Sequence, residues 1–375
     1  MPAAKWLRSQ LELGRVTGST TLRPMEGLRG VAVLLVFLVH YATLVTPWVP
    51  RGGLSSQVLD VVHAVGNVGV DLFFVLSGYL IYSSLLESPK PFAVYLRRRV
   101  QRIYPTFLAV FALYLGLTLF LQRPERFPAE PAAAALYVLQ NLLLLPGVFP
   151  IDALIAVAWS LSYEFFFYLL VPLVVGLGRL RARTREWRIG FLLLATAVVL
   201  VGFGTWGGPV RMTMFLAGML LHELLRGGRG TSMSSSAGLL AGLLGLAVPL
   251  VAMPGPTLQA VRVGLVYLGF LGLCLASFGH PDGALARWLA WTPLRWMGNI
   301  SYSYYLLHGL ALQVFFTLLA RLLPTGGEWA APALLLPAWL ATLPPCLALF
   351  LCIERPMSLA SGTGRPATAT VRLEA

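Results

Sequence analysis

Long apolar runs, broken by short polar and arginine-rich segments, set the pattern of this chain. The stretch "EGLRGVAVLLVFLVHY" at 26–41 is typical, with a charged start followed by apolar residues on every helical face. Such runs approach the ~20 residues that carry an α-helix across ~30 Å of hydrocarbon. They lack the short alternating segments of a membrane β-barrel. Ten spans are predicted, at about 30–48, 67–86, 103–121, 155–178, 190–206, 210–225, 237–253, 259–278, 300–320 and 332–352. The proline-bearing segment 122–154 includes "AAAALYVLQNLLLLPGVF", which predicts a short interfacial or re-entrant helix capping an outward cavity. "RGGRGTSMSSSAG" at 226–238 reads as a flexible linker, and 354–375 as a disordered tail. Pro172, Pro249 and the pair Pro344–Pro345 interrupt spans, as helix breakers bordering a cavity do.

The expected fold class is therefore all-α, a polytopic integral membrane protein of about ten transmembrane helices with both termini cytoplasmic. A polar segment 1–22 precedes the membrane domain at 23–353. Composition agrees: 57% of residues are hydrophobic and 11% charged, against about 25% charged in soluble domains. The net charge of +13 in a soluble domain would raise the question of nucleic acid. Here its distribution decides: the basic residues gather at both ends and after the second, fourth, sixth and eighth spans, as in Arg97, Arg98, Arg99 and Arg102. That asymmetry places those segments on the cytoplasmic side of a bacterial-type inner membrane, with the bilayer rather than nucleic acid as partner. No small-residue cleavage site follows the first apolar run, so it is expected to stay in the mature chain. Cys274, Cys346 and Cys352 lie in apolar segments without metal-type spacing and read as buried thiols, so no metal site is expected.

Polar residues inside the spans carry the candidate chemistry, because each is costly at that depth unless it faces protein or water. Arg29 and His40 are eleven residues apart, which returns them to nearly one helix face about 16 Å apart along the axis. The arginine then sits at the headgroups and the histidine near the midplane. In "VGVDLFFVLSGYLI" the second span carries Asp71 toward its outer end and Ser77 and Gly78 near its middle; Gly78 permits close approach of a helix or a ligand. In "AWSLSYEFFFYLLVPL" Glu164 lies between Ser160 and Tyr168 at four-residue spacing. In "RWMGNISYSYYLLHGL" His308 falls about 20 Å from Arg295, again near mid-depth, with Tyr305 close by; a structural bond and a functional role fit it equally. The run "YLRRRVQRIYP" fits a positive-inside anchor and a bidentate phosphate clamp alike.

Taken in order, "GLRGVAVLLVFLVH", "VGVDLFFVLSGYLI", "RRRVQRIYP", "WSLSYEFFFY" and "WMGNISYSYYLLH" resemble the membrane acyltransferase-3 family, whose members O-acylate sugars, polysaccharides and antibiotics. The resemblance runs from about Leu22 to the tenth span. It implies an acyl-CoA donor, usually acetyl-CoA, and no permanently bound cofactor. It also implies a sugar, glycan or lipid-linked acceptor. The family's first-helix Arg and His correspond to Arg29 and His40, its Phe-Phe-x-x-Ser-Gly motif to Phe73, Phe74, Ser77 and Gly78, and its Arg-x-x-Arg motif to Arg99 and Arg102. The extracytoplasmic hydrolase-like domain of some members is absent here, so the acyl group is expected to pass to its acceptor in the membrane domain or to a separate extracytoplasmic transferase.

These readings combine into one expectation. Arg29, Arg98, Arg99 and Arg102 hold CoA phosphates at the cytoplasmic mouth, with Phe74, Ser77 and Gly78 along the donor arm. His40 is the catalytic base, oriented by Glu164 or Asp71, Glu164 being preferred on depth. Tyr168, Tyr305 and His308 contact substrate. The competing reading is a proton-coupled transporter using the same His, Glu and Asp residues as a relay. It is disfavoured because the two halves show no convincing internal repeat. A scaffold that binds acyl-CoA without turnover is a third reading.

Overall fold

Apolar runs satisfy their backbone groups within themselves when helical, and they fold here as long helices that continue through Pro105, Pro172 and the expected breaker pair Pro344–Pro345. The structure, a computed structural model, describes residues 2–13, 22–121, 127–227, 233–323 and 326–359. In chain order the helices are α1 (Pro2–Leu11), α2 (Leu22–Val45), α3 (Leu54–Gly66), α4 (Gly69–Glu87), α5 (Phe92–Phe120) and α6 (Pro131–Leu142). They continue as α7 (Ala158–Leu177), α8 (Arg185–Trp206), α9 (Thr213–Leu225), α10 (Ser235–Ala247), α11 (Pro256–Gly279) and α12 (Ala284–Leu289). Last come α13 (Thr292–Asn299), α14 (Ser301–Leu322), α15 (Ala330–Leu349) and a π-helical segment, Phe350–Leu359. No β-strand occurs among the described residues, so the all-α membrane fold is as expected.

Among the described residues, eight helical stretches are long and apolar enough to cross a bilayer. The expected sixth and seventh spans, α9 and α10, have only 13 residues each. At 1.5 Å per residue that is roughly 20 Å, short of the hydrocarbon thickness. Gly207, Gly208 and Pro209 hold α9 back at its start, and Pro249 stops α10 at its end. Most residues of α9 are buried within the bundle, so its apolarity reflects protein packing rather than lipid contact. The expected second span is in turn preceded by α3, separated from α4 by a break at Asn67–Val68.

Small residues let these helices approach closely. A Cβ on Gly78 of α4 would lie 2.2 Å from the Phe215 carbonyl oxygen of α9, and one on Gly218 of α9 would lie 2.0 Å from that of Val75. On α10 the buried face is Gly238, Gly242 and Gly245, laid against α11. Buried ion pairs add register. Arg188 of α8 grips Glu223 of α9 through two bonds of 2.7 and 2.8 Å, and Tyr82 of α4 donates to the same carboxylate at 2.7 Å.

Both chain ends hold more structure than their polarity predicts. On α1, Glu12 just past the helix accepts from Arg295 Nη2 at 2.8 Å, Arg295 Nε donates to Glu26 at 2.9 Å, and Asn299 donates to the Leu11 carbonyl at 3.0 Å. The expected tail from 354 starts as helix through Leu359, because Glu354 is fully buried and paired; residues 360–375 lie outside the described residues. Of the expected linker at 226–238, residues 228–232 lie outside the described residues, and Ser234 already caps α10 by accepting from the Ala237 amide at 3.2 Å. Cys274 and Cys346 are buried as expected, whereas Cys352 is exposed on the outer side of the last helix.

Candidate active site

Five helices, α2, α4, α5, α7 and α14, enclose a small cavity of about 70 Å³ on the side of the arginine-rich segments. Arg29 enters it from α2, donating to the Gly298 carbonyl at 3.3 Å and to Ser301 Oγ at 2.9 Å, with its guanidinium 5.8 Å from the Phe73 ring centre. From α5, Arg102 pairs with Glu354 at 2.7 Å and lies over Tyr302, and Arg99 lies 5.4 Å from the Tyr168 ring centre. Glu164 of α7 is held in this cavity, accepting from Ser77 at 2.9 Å and from Tyr168 at 2.6 Å. Three guanidinium groups, of Arg29, Arg99 and Arg102, set against the carboxylates of Glu164 and Glu354, leave one positive charge in excess and make the cavity basic.

Glu354 escaped the sequence analysis because its partners are remote in sequence. Its second oxygen accepts from the Ser303 amide and hydroxyl, at 3.0 and 2.6 Å. The π-helical turn carrying it is a common device for aiming a side chain at a functional site. Only its place after a span that ends in "FLCIER", against an arginine near the first turn of another, hinted at the pairing.

A second and larger cavity, about 420 Å³, contains His40. Helices α2, α5, α6 and α14 and the segment before α7 line it, with Tyr114, Tyr137, Asp152 and Gln313 among its polar groups. The expected helix in 122–154 is α6, and it does border this cavity through Tyr137. The His40 ring lies edge-on to His308, their centres 5.0 Å apart. His308 is fully buried and fixed: it stacks on Tyr304 at 5.4 Å, and Nδ1 lies 2.8 and 2.9 Å from the carbonyl oxygens of Tyr304 and Tyr305. A carbonyl only accepts, so Nδ1 carries the proton and Nε2 keeps its lone pair. That Nε2 is buried and makes no hydrogen bond within the structure.

Between the cavities lies one polar contact, Tyr305 hydroxyl to Ser160 hydroxyl at 2.6 Å, with Tyr305 also donating to the Val157 carbonyl at 3.1 Å. Tyr305 and Ser160 line the basic cavity, and Val157 lines the one with His40. The expected pairing of His40 with Glu164 or Asp71 is not made. Glu164 is turned to Ser77 and Tyr168, and Asp71 accepts both arms of Arg211 at 2.8 and 2.7 Å. A buried carboxylate takes the nearest fixed donors, and Arg211 already supplies two. His308 occupies the place beside His40 instead.

The remaining predicted donor residues divide. Ser77 and Phe74 line the basic cavity, although Phe74 is mostly engaged in stacking on Phe215 at 4.6 Å. Gly78 faces α9 rather than the cavity, because the two backbones touch there. Arg98 is exposed on the basic side.

Comparison with known proteins places this architecture. A family profile described as an acyltransferase domain, the acyltransferase-3 type, matches residues 24–353. The chain is 29% identical over 342 residues to acyltransferase MdmB of Streptomyces mycarofaciens, covering 82% of this chain and 84% of that protein. It is 28% identical over 319 residues to a putative peptidoglycan O-acetyltransferase, YrhL of Bacillus subtilis, covering 76% of this chain and 47% of the relative. It is 28% identical over 317 residues to O-acetyltransferase OatA of Staphylococcus aureus, covering 76% of this chain and 49% of the relative. It thus spans most of MdmB and about half of the other two. No solved structure matches it. With the profile covering nearly all of a helical membrane domain, the chain belongs to the acyltransferase-3 family and is a membrane O-acyltransferase.

Proposed function

We propose that the protein moves an acyl group, in the first place acetyl, from acyl-CoA to a hydroxyl of a sugar or glycan, with His40 as general base. The observation that carries this reading is the His40–His308 pair at the end of a roomy cavity, one polar contact away from a basic cavity that suits a phosphate-bearing donor. Arg29 and Arg102 set the positive field of the donor cavity, and Arg98 and Arg99 extend it to the surface. The pantetheine arm passes Tyr305 and Ser160, whose hydroxyl contact opens to admit it. The acceptor hydroxyl then attacks the thioester carbon. A C–O bond forms, the C–S bond breaks, and His40 takes the hydroxyl proton and returns it to the departing CoA sulfur. To the His308 Nε2 lone pair, unbonded in the structure, we assign the task of accepting the other N–H of His40 during turnover, orienting the ring as the acidic member does in a catalytic triad.

The similarity to OatA and YrhL, both named O-acetyltransferases, supports acetyl as the group, and that to YrhL, a putative peptidoglycan O-acetyltransferase, supports a glycan as the acceptor. The chain lies in a cytoplasmic membrane with its arginine-rich face and both termini inside, a topology that the charge asymmetry supports. The test is transfer of labelled acetyl from acetyl-CoA to a methyl glycoside by the reconstituted full chain. We expect His40→Ala to lower kcat by about 10²–10⁴-fold, the usual weight of a general base. Near-normal turnover by a folded His40→Ala variant would exclude the role. Uptake of an unmodified solute would favour the transporter reading.

A further inference from the structure

The two cavities differ in charge, and this difference assigns their contents. The donor cavity holds Arg29, Arg102 and Glu164, with Glu354 paired to Arg102 and Arg99 beside Tyr168, so it keeps one positive charge in excess. The larger one has no Lys or Arg in its lining among the described residues, and its charged group is Asp152. Asp152 lies on the segment before α7, and Asn141 fixes that segment. The buried Asn141 side chain donates to the Asp152 carbonyl at 3.2 Å and accepts from the Leu154 amide at 2.7 Å, tying the rim to α6. Gln313 of α14 and Tyr137 of α6 line the same cavity, and Gly309 leaves room before the Tyr114 hydroxyl. A carboxylate and an amide beside tyrosine rings form a site for vicinal hydroxyls lying against an apolar sugar face. A carboxylate at the rim repels anions and accepts from hydroxyl or ammonium donors.

We propose that this cavity is the acceptor site, and that Asp152 and Gln313 select a non-anionic sugar, neutral or amino-bearing, whose hydroxyl they present to His40. The proposal rests on the acyl-transfer reading above, naming the acceptor class and the residues that choose it. It separates the acceptor from the donor by the Tyr305–Ser160 contact.

The test uses the full chain in sealed vesicles, with the exposed thiol removed by Cys352→Ser and a reporter introduced by Thr43→Cys in the lining of the same cavity. A membrane-impermeant maleimide is expected to react with the reporter from the face opposite Arg98, marked by a parallel Arg98→Cys variant. Methyl β-D-glucoside and methyl β-D-glucosaminide should slow that reaction several-fold, and methyl β-D-glucuronide and acetyl-CoA should not. In turnover, Asp152→Asn should raise KM for the glucoside about tenfold at unchanged KM for acetyl-CoA, the weight of one charge-assisted hydrogen bond. Reaction from the Arg98 face overturns the proposal. So does a reporter unreactive from both faces, protection by the glucuronide equal to that by the glucoside, protection by acetyl-CoA alone, or a shift confined to the acetyl-CoA KM. Protection does not require turnover, so it is expected to survive in His40→Ala. Loss of glycoside protection therefore sinks the acceptor assignment, whereas failure of the wild-type chain to form labelled acetyl-glycoside while protection persists sinks the transfer reading.

Discussion

His308 commits its Nδ1 proton to two backbone carbonyls and stacks on Tyr304, so its ring is fixed beside that of His40 with Nε2 unbonded in the structure. Residues that act as one unit show non-additive losses. His40→Ala, His308→Ala and the double variant should therefore all lose turnover to a similar extent, about 10²–10⁴-fold. Independent losses that multiply in the double variant would show that the two rings serve separate tasks. Much of this pair was legible in the sequence, since Arg29, His40 and His308 stand out as polar groups at calculable depths in apolar runs. The partner of His40 was not legible. Depth along an axis says nothing about rotation: Glu164, preferred on depth over Asp71, is turned to Ser77 and Tyr168, and His308, expected as a substrate contact, lies beside His40. Asp152 and Asn141 gave no signal at all, because their roles depend on one loop folding back on α6.

At the scale of elements, tight backbone contact and buried charge carry the sharpest expectations. Gly78→Ala puts a methyl group 2.2 Å from a backbone oxygen of α9, which a side-chain rotation does not relieve. It should cost about 1–3 kcal/mol, read as a lower thermal midpoint of the detergent-solubilised protein. Glu354→Gln removes the charge that balances Arg102 in a largely buried pair and should cost about 3–5 kcal/mol. An unchanged midpoint would show that the last helix is not fastened there. Helix α1 depends on Glu12. Burial disfavours its carboxylate, but hydrogen bonds from Arg295 and Trp296 outweigh this and hold it below the usual carboxylate range. A lowered folded pKa contributes stability above the unfolded pKa, and that contribution is lost as pH falls through the folded one. Amide protection in residues 2–11 should thus be constant from neutral pH to about 5 and drop below about 4. The effect is small, since the Glu12 side chain is 36% exposed. The sequence foretold each long span from hydropathy alone, and it overstated α9 because apolarity marks burial in protein as readily as contact with lipid, and α10 because Pro249 ends the helix early.

Across the whole molecule, the helices hold two cavities of opposite electrostatic character with the histidine pair at the larger one. On the proposed reading, a basic cavity on the arginine-rich side and an acidic-rimmed one beyond Tyr305 and Ser160 pass a group rather than a whole solute. The arginine pattern foretold which side is basic, whereas the split into two cavities comes from side chains on α7 and α14 that meet only in the folded bundle. The most direct measurement confines labelled acetyl-CoA to the compartment facing Arg98 of sealed, uniformly oriented vesicles and methyl β-D-glucoside to the other. Labelled acetyl-glucoside should form in the second compartment with the wild-type chain and not with His40→Ala. Product that forms only when donor and glucoside share a compartment, or that forms equally with His40→Ala, would contradict the account.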